Sequence, residues 1–247
     1  ELMQEEGLVS TLKPAVYIDF GAGKGSLSRY MGCSEKVHPE SVFLCIERAA
    51  YKHKAEHVKG MKSIRARIDL EDVDLRILCE SSGSVYTSGG VVGMGKHLCG
   101  AATDLALNGL RNLCHHSGCL QGICIALCCH SKCSWSDCAA RNWLIETAGL
   151  SEGEFEILRR WSGCFTVDQQ QQKLDSESQE KEIDLGTCEG GSSPYFSSYA
   201  ARAHLGRVCK RLLDYGRMQF IERELNLKAR LVVYIDEGVT PENVLII

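Results

Sequence analysis

Short apolar runs alternate with longer amphipathic stretches along the chain, the pattern of strand–helix–strand units on a parallel sheet. Residues 15–20 form one such run and end in glycines, and a helix is expected over 24–31. Residues 41–47 form a second run, followed by a basic stretch over 48–62. A third strand, charged on both sides, is expected over 63–68, a fourth over 91–95 and a helix over 102–113. The run at 122–129 is so apolar that it reads as a central strand covered on both faces. Helices are expected over 135–150 and 198–225, and strands over 230–235 and 243–247, the last pair joined through Gly238 and Pro241. The expectation is an α/β fold with a seven-stranded mixed sheet and one antiparallel edge. Between the last two helices, residues 167–196 are rich in Gln, Glu, Ser and Gly. They read as a low-complexity, mobile insertion in one 1–247 domain.

Composition adds limits. The 247 residues are 44% apolar and 24% charged, which excludes a disordered, collagen-like or coiled-coil chain. No apolar run reaches the roughly 18 residues of a spanning helix. The first fifteen residues lack the basic start and apolar core of a signal peptide. A first residue of Glu suggests a piece of a longer protein. Fourteen cysteines would mean a disulfide framework in a small secreted protein, but here they read as reduced, buried thiols of a nuclear or cytoplasmic chain. A net charge of −4 requires any nucleic-acid contact to use a local basic patch.

The sharpest chemical signal is the loop after the first strand, Asp19-Phe20-Gly21-Ala22-Gly23-Lys24-Gly25. Its glycines permit a tight turn and close approach of a nucleotide-like ligand. The second strand ends in Glu47, suited to accepting hydrogen bonds from both hydroxyls of a ribose. A dinucleotide shares these features, but the spacing is G-x-G-x-G, and Asp19 beside the loop would repel a pyrophosphate. The same charge suits the cationic sulfonium and ammonium of S-adenosylmethionine. Asp69, at the third strand end, is placed to accept from an adenine amino group. Asp19, Gly21, Gly23, Gly25, Glu47 and Asp69 are therefore the expected cofactor-binding residues.

Candidate reacting groups belong at the carboxyl ends of the central strands. Lys96 and His97 leave the fourth strand, and His130 leaves the fifth. Transfer of a methyl group needs the acceptor atom aimed at the methyl and any proton on it taken up. Lys96 can orient the acceptor or act as base, and either histidine can act as base near neutral pH. Cys99, Cys128, Cys129 and Cys133, with His97 and His130, are ligand types that zinc prefers. Adjacent residues on a strand point to opposite faces, however, so no metal site is expected.

Three segments carry a family resemblance: 17–25, 95–107 (beginning Gly95-Lys96-His97-Leu98-Cys99-Gly100) and 126–133 (with Cys128-Cys129-His130). Together with 209–217 and 240–246, they resemble the eukaryotic tRNA 2'-O-methyltransferases that act on nucleotide 4 of the acceptor stem. The resemblance implies a Rossmann-like class I methyltransferase fold, S-adenosylmethionine as cofactor and the tRNA acceptor stem as partner. Family members usually begin with small zinc-binding modules, absent here, so the chain is expected to be the catalytic domain. They also usually carry a second histidine where this chain has Ser131. The Lys-Asp-Lys-Glu set of another 2'-O-methyltransferase group is not evident. Nor is the Asn- or Asp-Pro-Pro-aromatic turn of exocyclic-nitrogen methyltransferases, and a cofactor-free binding subunit would not need Asp19, Glu47 and Asp69. For the tRNA, periodicity on the last helix predicts a buried stripe of Leu205, Val208, Cys209, Leu212 and Leu213. That leaves Arg207, Lys210 and Arg211 on an outer basic face. A second cluster is Arg48, Lys52, Lys54, Lys59, Lys62 and Arg65.

Overall fold

The structure, a computed structural model, describes residues 1–117, 119–163 and 199–247. The insertion expected at 167–196 lies outside the described residues. Seven strands form one sheet: β1 (Val16–Phe20), β2 (Val42–Ile46), β3 (Lys62–Ala66), β4 (Val91–Lys96), β5 (Leu120–Ala126), β6 (Leu231–Val233) and β7 (Val244–Ile246). Their order is β3-β2-β1-β4-β5-β7-β6. The first five pair in parallel, and β7 runs antiparallel to both β5 and β6. The chain thus steps outward one way from β1 to β3, then returns to lay β4 and β5 on the other side. This reversal leaves a crevice at the carboxyl ends of β1 and β4, where open α/β sheets place ligands.

The helices are α1 (Leu2–Glu5), α2 (Ser26–Gly32), α3 (Leu75–Glu80), α4 (Ser84–Gly89), α5 (Ala102–Ser117), α6 (Arg141–Glu146), α7 (Glu152–Ser162) and α8 (Tyr199–Glu224), with a 3₁₀ turn at His130–Lys132. Every residue of β1 and β2 is buried, as a central parallel strand requires. Their side chains alternate between two cores. Ile18, Phe20, Leu44 and Ile46 join Leu107, Leu110 and Ile221 from α5 and α8. Tyr17 and Phe43, stacked at 5.2 Å, join Val92, Met94 and Leu245 on the other face. A smaller core gathers Trp143, Leu144, Phe155 and Leu213 between α6, α7 and α8.

Four expectations change. The last parallel strand ends at Ala126, not Cys129, because Cys129 turns into the left-handed region with φ 49°. The third strand runs over Lys62–Ala66 at the sheet's edge, which explains the charge on both its faces. The helix expected over 135–150 shrinks to Arg141–Glu146. Ahead of it, Asn108 of α5 donates to the Asp137 carbonyl at 3.0 Å, and the Ala139 N–H donates to Asp104 at 3.2 Å. Ser134 also accepts from the Asp137 N–H, so backbone groups that a helix needs are already committed. Finally, α7 was not foreseen, although Ser151 and Glu154 cap its start reciprocally, a pattern visible in the sequence.

Candidate functional site

The loop after β1 has the backbone that its glycines allow. Gly21, Gly23 and Gly25 have φ of +59°, +52° and +81°. A Cβ on Gly21 would lie 2.8 Å from Leu98, and one on Gly25 would lie 2.0 Å from a Glu56 oxygen, so a side chain at either position would be strained and would force its neighbour to shift. Neighbouring strands hold the loop in place. The Ala22 N–H donates to the Ile46 carbonyl at 3.0 Å, and Gly23 N–H donates to Glu47 Oε2 at 2.9 Å. Arg65 of β3 donates to the Gly23 carbonyl at 3.0 Å and pairs at 2.5 Å with the buried Glu56. This Glu56–Arg65 buttress was missed, because Arg65 reads in the sequence as one more basic surface residue.

The three acids have different surroundings. Glu47 closes β2 and holds two backbone donors, Gly23 N–H on Oε2 and Ala49 N–H on Oε1 at 2.8 Å. A carboxylate has about four acceptor sites, so roughly two remain. Asp69 lies three residues beyond β3 and meets Arg48 at 3.4 Å, with side chains 39% and 79% exposed. Such an exposed pair is weak, worth ~0–1 kcal/mol. Asp19 is buried behind the loop and accepts from the Ser28 hydroxyl at 2.6 Å. Burial pushes its carboxyl up to about 6, against the lowering effect of Ser28 and Arg65.

A crevice of about 500 Å³ opens at these strand ends, and its walls include Gly21, Glu47, Asp69, His97, Leu98 and Cys99. Of the residues expected to act, Gly21, Glu47, Asp69 and His97 come together there. Gly23 and Gly25 shape the loop behind the wall. Lys96 is exposed at the end of β4, outside the lining, and His97 follows it with a left-handed φ of 63°. Asp137 also lines the crevice, together with a second cavity of about 260 Å³ that holds Asn108, Arg111, Trp143 and Phe220. No sequence signal singles out Asp137.

His130 faces the interior, with Nε2 against the carboxylate of Asp214 from α8. Asp214 also accepts from Arg211 at 2.9 Å. One helical turn on, Arg217 lies 3.8 Å from Asp214 and makes a two-pronged contact with Asp104 of α5, at 3.1 and 2.7 Å. Burial pushes the Asp214 carboxyl up, but His130, Arg217 and Arg211 outweigh it and hold the group below the ordinary carboxylate range. Burial likewise opposes the Arg217 charge, and Asp104 outweighs it and holds the guanidinium above its ordinary value.

This network corrects the reading of the last helix. Lys210 is buried and bonded to Glu242 at 2.6 Å, Arg207 reaches Glu237 at 3.2 Å, and Val208 is 51% exposed. The helix is rotated from the expected stripe, because its inward face carries Lys210, Asp214 and Arg217 along with Cys209 and Leu213. In the second basic cluster Arg65 is taken by Glu56, Lys62 by Glu40 and Arg48 by Asp69, leaving Lys52, Lys54 and Lys59 exposed.

The cysteines at the ends of β4 and β5 meet. Cys99 Sγ lies 3.1 Å from Cys129 Sγ and 3.7 Å from Cys128 Sγ. Alternation along a strand does not separate Cys128 from Cys129, since β5 has already ended. Burial pushes both of those thiols up, and Cys99 adds to it.

Fold and crevice together define an α/β protein with a crevice at the carboxyl ends of its parallel strands. The chain belongs to the Methyltransferase TRM13 family, whose family model matches residues 1–247. Among curated relatives it is similar to the "tRNA:m(4)X modification enzyme TRM13" of Schizosaccharomyces pombe, 32% identical over 250 residues that cover 94% of this chain and 61% of the relative. The human "tRNA:m(4)X modification enzyme TRM13 homolog" is 28% identical over 93% of this chain and 59% of its own length. A Dictyostelium discoideum homolog is 27% identical over 92% and 48%. The chain therefore spans about half to three fifths of the length of these relatives. No solved structure gives a significant match. Among the described residues, no helix is long and apolar enough to cross a membrane.

Proposed function

We propose that residues 1–247 form a catalytic domain with a Rossmann-like methyltransferase fold. In this reading it transfers a methyl group from S-adenosylmethionine to the ribose 2'-hydroxyl of nucleotide 4 in a tRNA acceptor stem. The observation that carries the proposal is the crevice itself, whose lining brings together Gly21 of the glycine loop, Glu47, Asp69 and His97. The residues fit the cofactor. Glu47 has acceptor capacity left for a ribose diol, and Asp69 meets Arg48 in a weak, exposed pair. Asp19, ionised above about pH 6, sets a negative charge behind the loop that favours a cation in front of it. When bound, S-adenosylmethionine supplies an electrophilic methyl on a sulfonium.

The chain's own residues then have three tasks. Gly21 and Leu98 shape the wall. Lys96, at the rim, orients the incoming hydroxyl. His97 takes up its proton, the role an imidazole fills best near neutral pH. His130 does not line the crevice and acts as a positioning residue, its ring fixing the turn after β5 through Asp214. For the tRNA, the exposed Lys52, Lys54 and Lys59 replace the face first expected on α8. Double-helical RNA is held largely through phosphates and 2'-hydroxyls, so these lysines need carry no base specificity.

Nucleoside mass spectrometry of tRNA incubated with the protein and methyl-labelled cofactor tests this directly. The expected product is a labelled 2'-O-methylnucleoside at position 4. Label on a base, at another position, or absent altogether contradicts the proposal.

A further inference from the structure

Cys99, Cys128 and Cys129 bring three sulfur atoms within 4.8 Å of one another. Two different loops supply them, one leaving β4 and one leaving β5. Each loop contains a non-glycine residue in the left-handed region, His97 at φ 63° and Cys129 at φ 49°. Such conformations cost on the order of 1–3 kcal/mol and persist where the surroundings over-determine them. The turn at Cys129 falls within the segment that brings its sulfur and that of Cys128 to Cys99. We propose that these three thiols are a binding site for a thiophilic metal ion, zinc, with a fourth coordination position left to water.

The spacing favours a metal over a disulfide. In a tetrahedral site with zinc–sulfur bonds of about 2.3 Å, sulfur atoms stand about 3.8 Å apart. The Cys99–Cys128 separation of 3.7 Å matches that edge, and Cys99–Cys129 at 3.1 Å opens to it by a small side-chain rotation. A disulfide would instead require closure to about 2.05 Å, and it would leave the third thiol unused. Binding is a coordination step with no change of oxidation state: three sulfur–metal bonds form, and three thiol protons leave to solvent. Cys99 lines the crevice between Leu98 and the start of α5, so the ion would tie one wall of that crevice to the end of β5. That cross-link would hold His97 and His130 in fixed relation without touching either. The inference stands apart from the methyl-transfer proposal, because metal binding is read out without activity.

The test compares the protein with its Cys99→Ser variant and with Cys33→Ser, an exposed cysteine outside the cluster. All three are expressed with zinc and purified without chelator, and metal content is measured by plasma mass spectrometry. Cys99→Ser should carry one zinc per chain fewer than the unmodified protein, whereas Cys33→Ser should carry the same. Loading with cobalt instead of zinc should give a sulfur-to-cobalt charge-transfer band that Cys99→Ser loses or weakens. A second measurement needs no variant: iodoacetamide should label Cys99 and Cys129 slowly in the zinc-loaded protein and quickly after chelation. Equal metal content in the unmodified and Cys99→Ser proteins overturns the proposal. So does labelling of Cys99 and Cys129 that is indifferent to chelation, or peptide mapping that finds them joined as a disulfide in the zinc-exposed protein.

Discussion

The two halves of the sheet use charge in opposite ways. At β1, β2 and β3 the acids Glu47 and Asp69 reach a solvent-open crevice, and backbone groups of a glycine loop do the shaping. Beside β4 and β5 the ionisable groups His130, Asp104, Asp214 and Arg217 are buried against one another between α5, α8 and the turn after β5. The first half keeps unspent acceptor capacity where a ligand can reach it. In the second half the charges are neutralised internally, which secures the arrangement of α5, α8 and the turn after β5. Charge alone therefore does not mark a functional surface here.

Breaking the second half should have the largest effect on stability. Arg217→Ala leaves Asp104 buried without its two-pronged partner, so the loss should be about 3–5 kcal/mol, read as a lowered midpoint in urea unfolding. A loss under about 1 kcal/mol would mean that the network is not holding the helices.

The next effect is in the first half and has the opposite sign. The Asp19 carboxyl is raised from 3.8 to about 6, so the folded protein binds a proton more tightly than the unfolded chain. The contribution of Asp19 to native stability is therefore highest below pH 3.8, falls as pH rises toward 6, and stays reduced above it. Asp19→Asn keeps an acceptor for Ser28 and removes the buried charge. It should be more stable than the parent at pH 8, by at most about 3 kcal/mol, with the gap closing toward pH 4. A gap that does not change with pH would contradict the burial argument. The same variant should bind the cofactor more weakly, separating what stabilises the fold from what serves the site.

A smaller effect separates the two basic surfaces. Reversing Lys52, Lys54 and Lys59 to Glu should weaken tRNA binding and flatten its salt dependence, by roughly 0.7–0.9 in slope for each phosphate no longer neutralised. Stability should change little, since these side chains are exposed. Lys210→Glu should do the reverse, destabilising the protein through repulsion with Glu242. If Lys210→Glu instead leaves stability intact and abolishes tRNA binding, α8 is the RNA-facing element after all. The smallest effect is expected from Arg48→Ala. Its exposed pair with Asp69 should contribute less than ~1 kcal/mol to a thermal or urea melt.

What the sequence made legible follows the same division. The strands β1, β2 and β4 were read to within a residue or two, because buried parallel strands are continuous apolar runs closed by glycine or charge. The glycine loop and Glu47 were legible because the chemistry is local: a tight turn, then an acid at the next strand end. The far half depends on partners that sequence spacing cannot join, His130 with Asp214 at 84 residues and Arg217 with Asp104 at 113. A stripe drawn from apolar residues alone missed the true inner face of α8, since Lys210, Asp214 and Arg217 count as polar until their partners are known. Cys128 and Cys129 misled for a related reason, because alternation applies only while the strand lasts. The capping box at Ser151 and Glu154 was readable and marks a helix by itself.

The central claim is that the crevice half, and not the buried half, binds the cofactor. Calorimetric titration with S-adenosylhomocysteine of the unmodified protein, Glu47→Ala and Arg211→Ala tests it most directly. Glu47→Ala removes a charged acceptor from the crevice wall and should cost about 1.5–3 kcal/mol, roughly a tenfold to a hundredfold loss of affinity. Arg211→Ala, which removes a partner of Asp214 away from the crevice lining, should bind as the parent does. Unchanged affinity in Glu47→Ala, or an equal loss in both variants, would contradict the account.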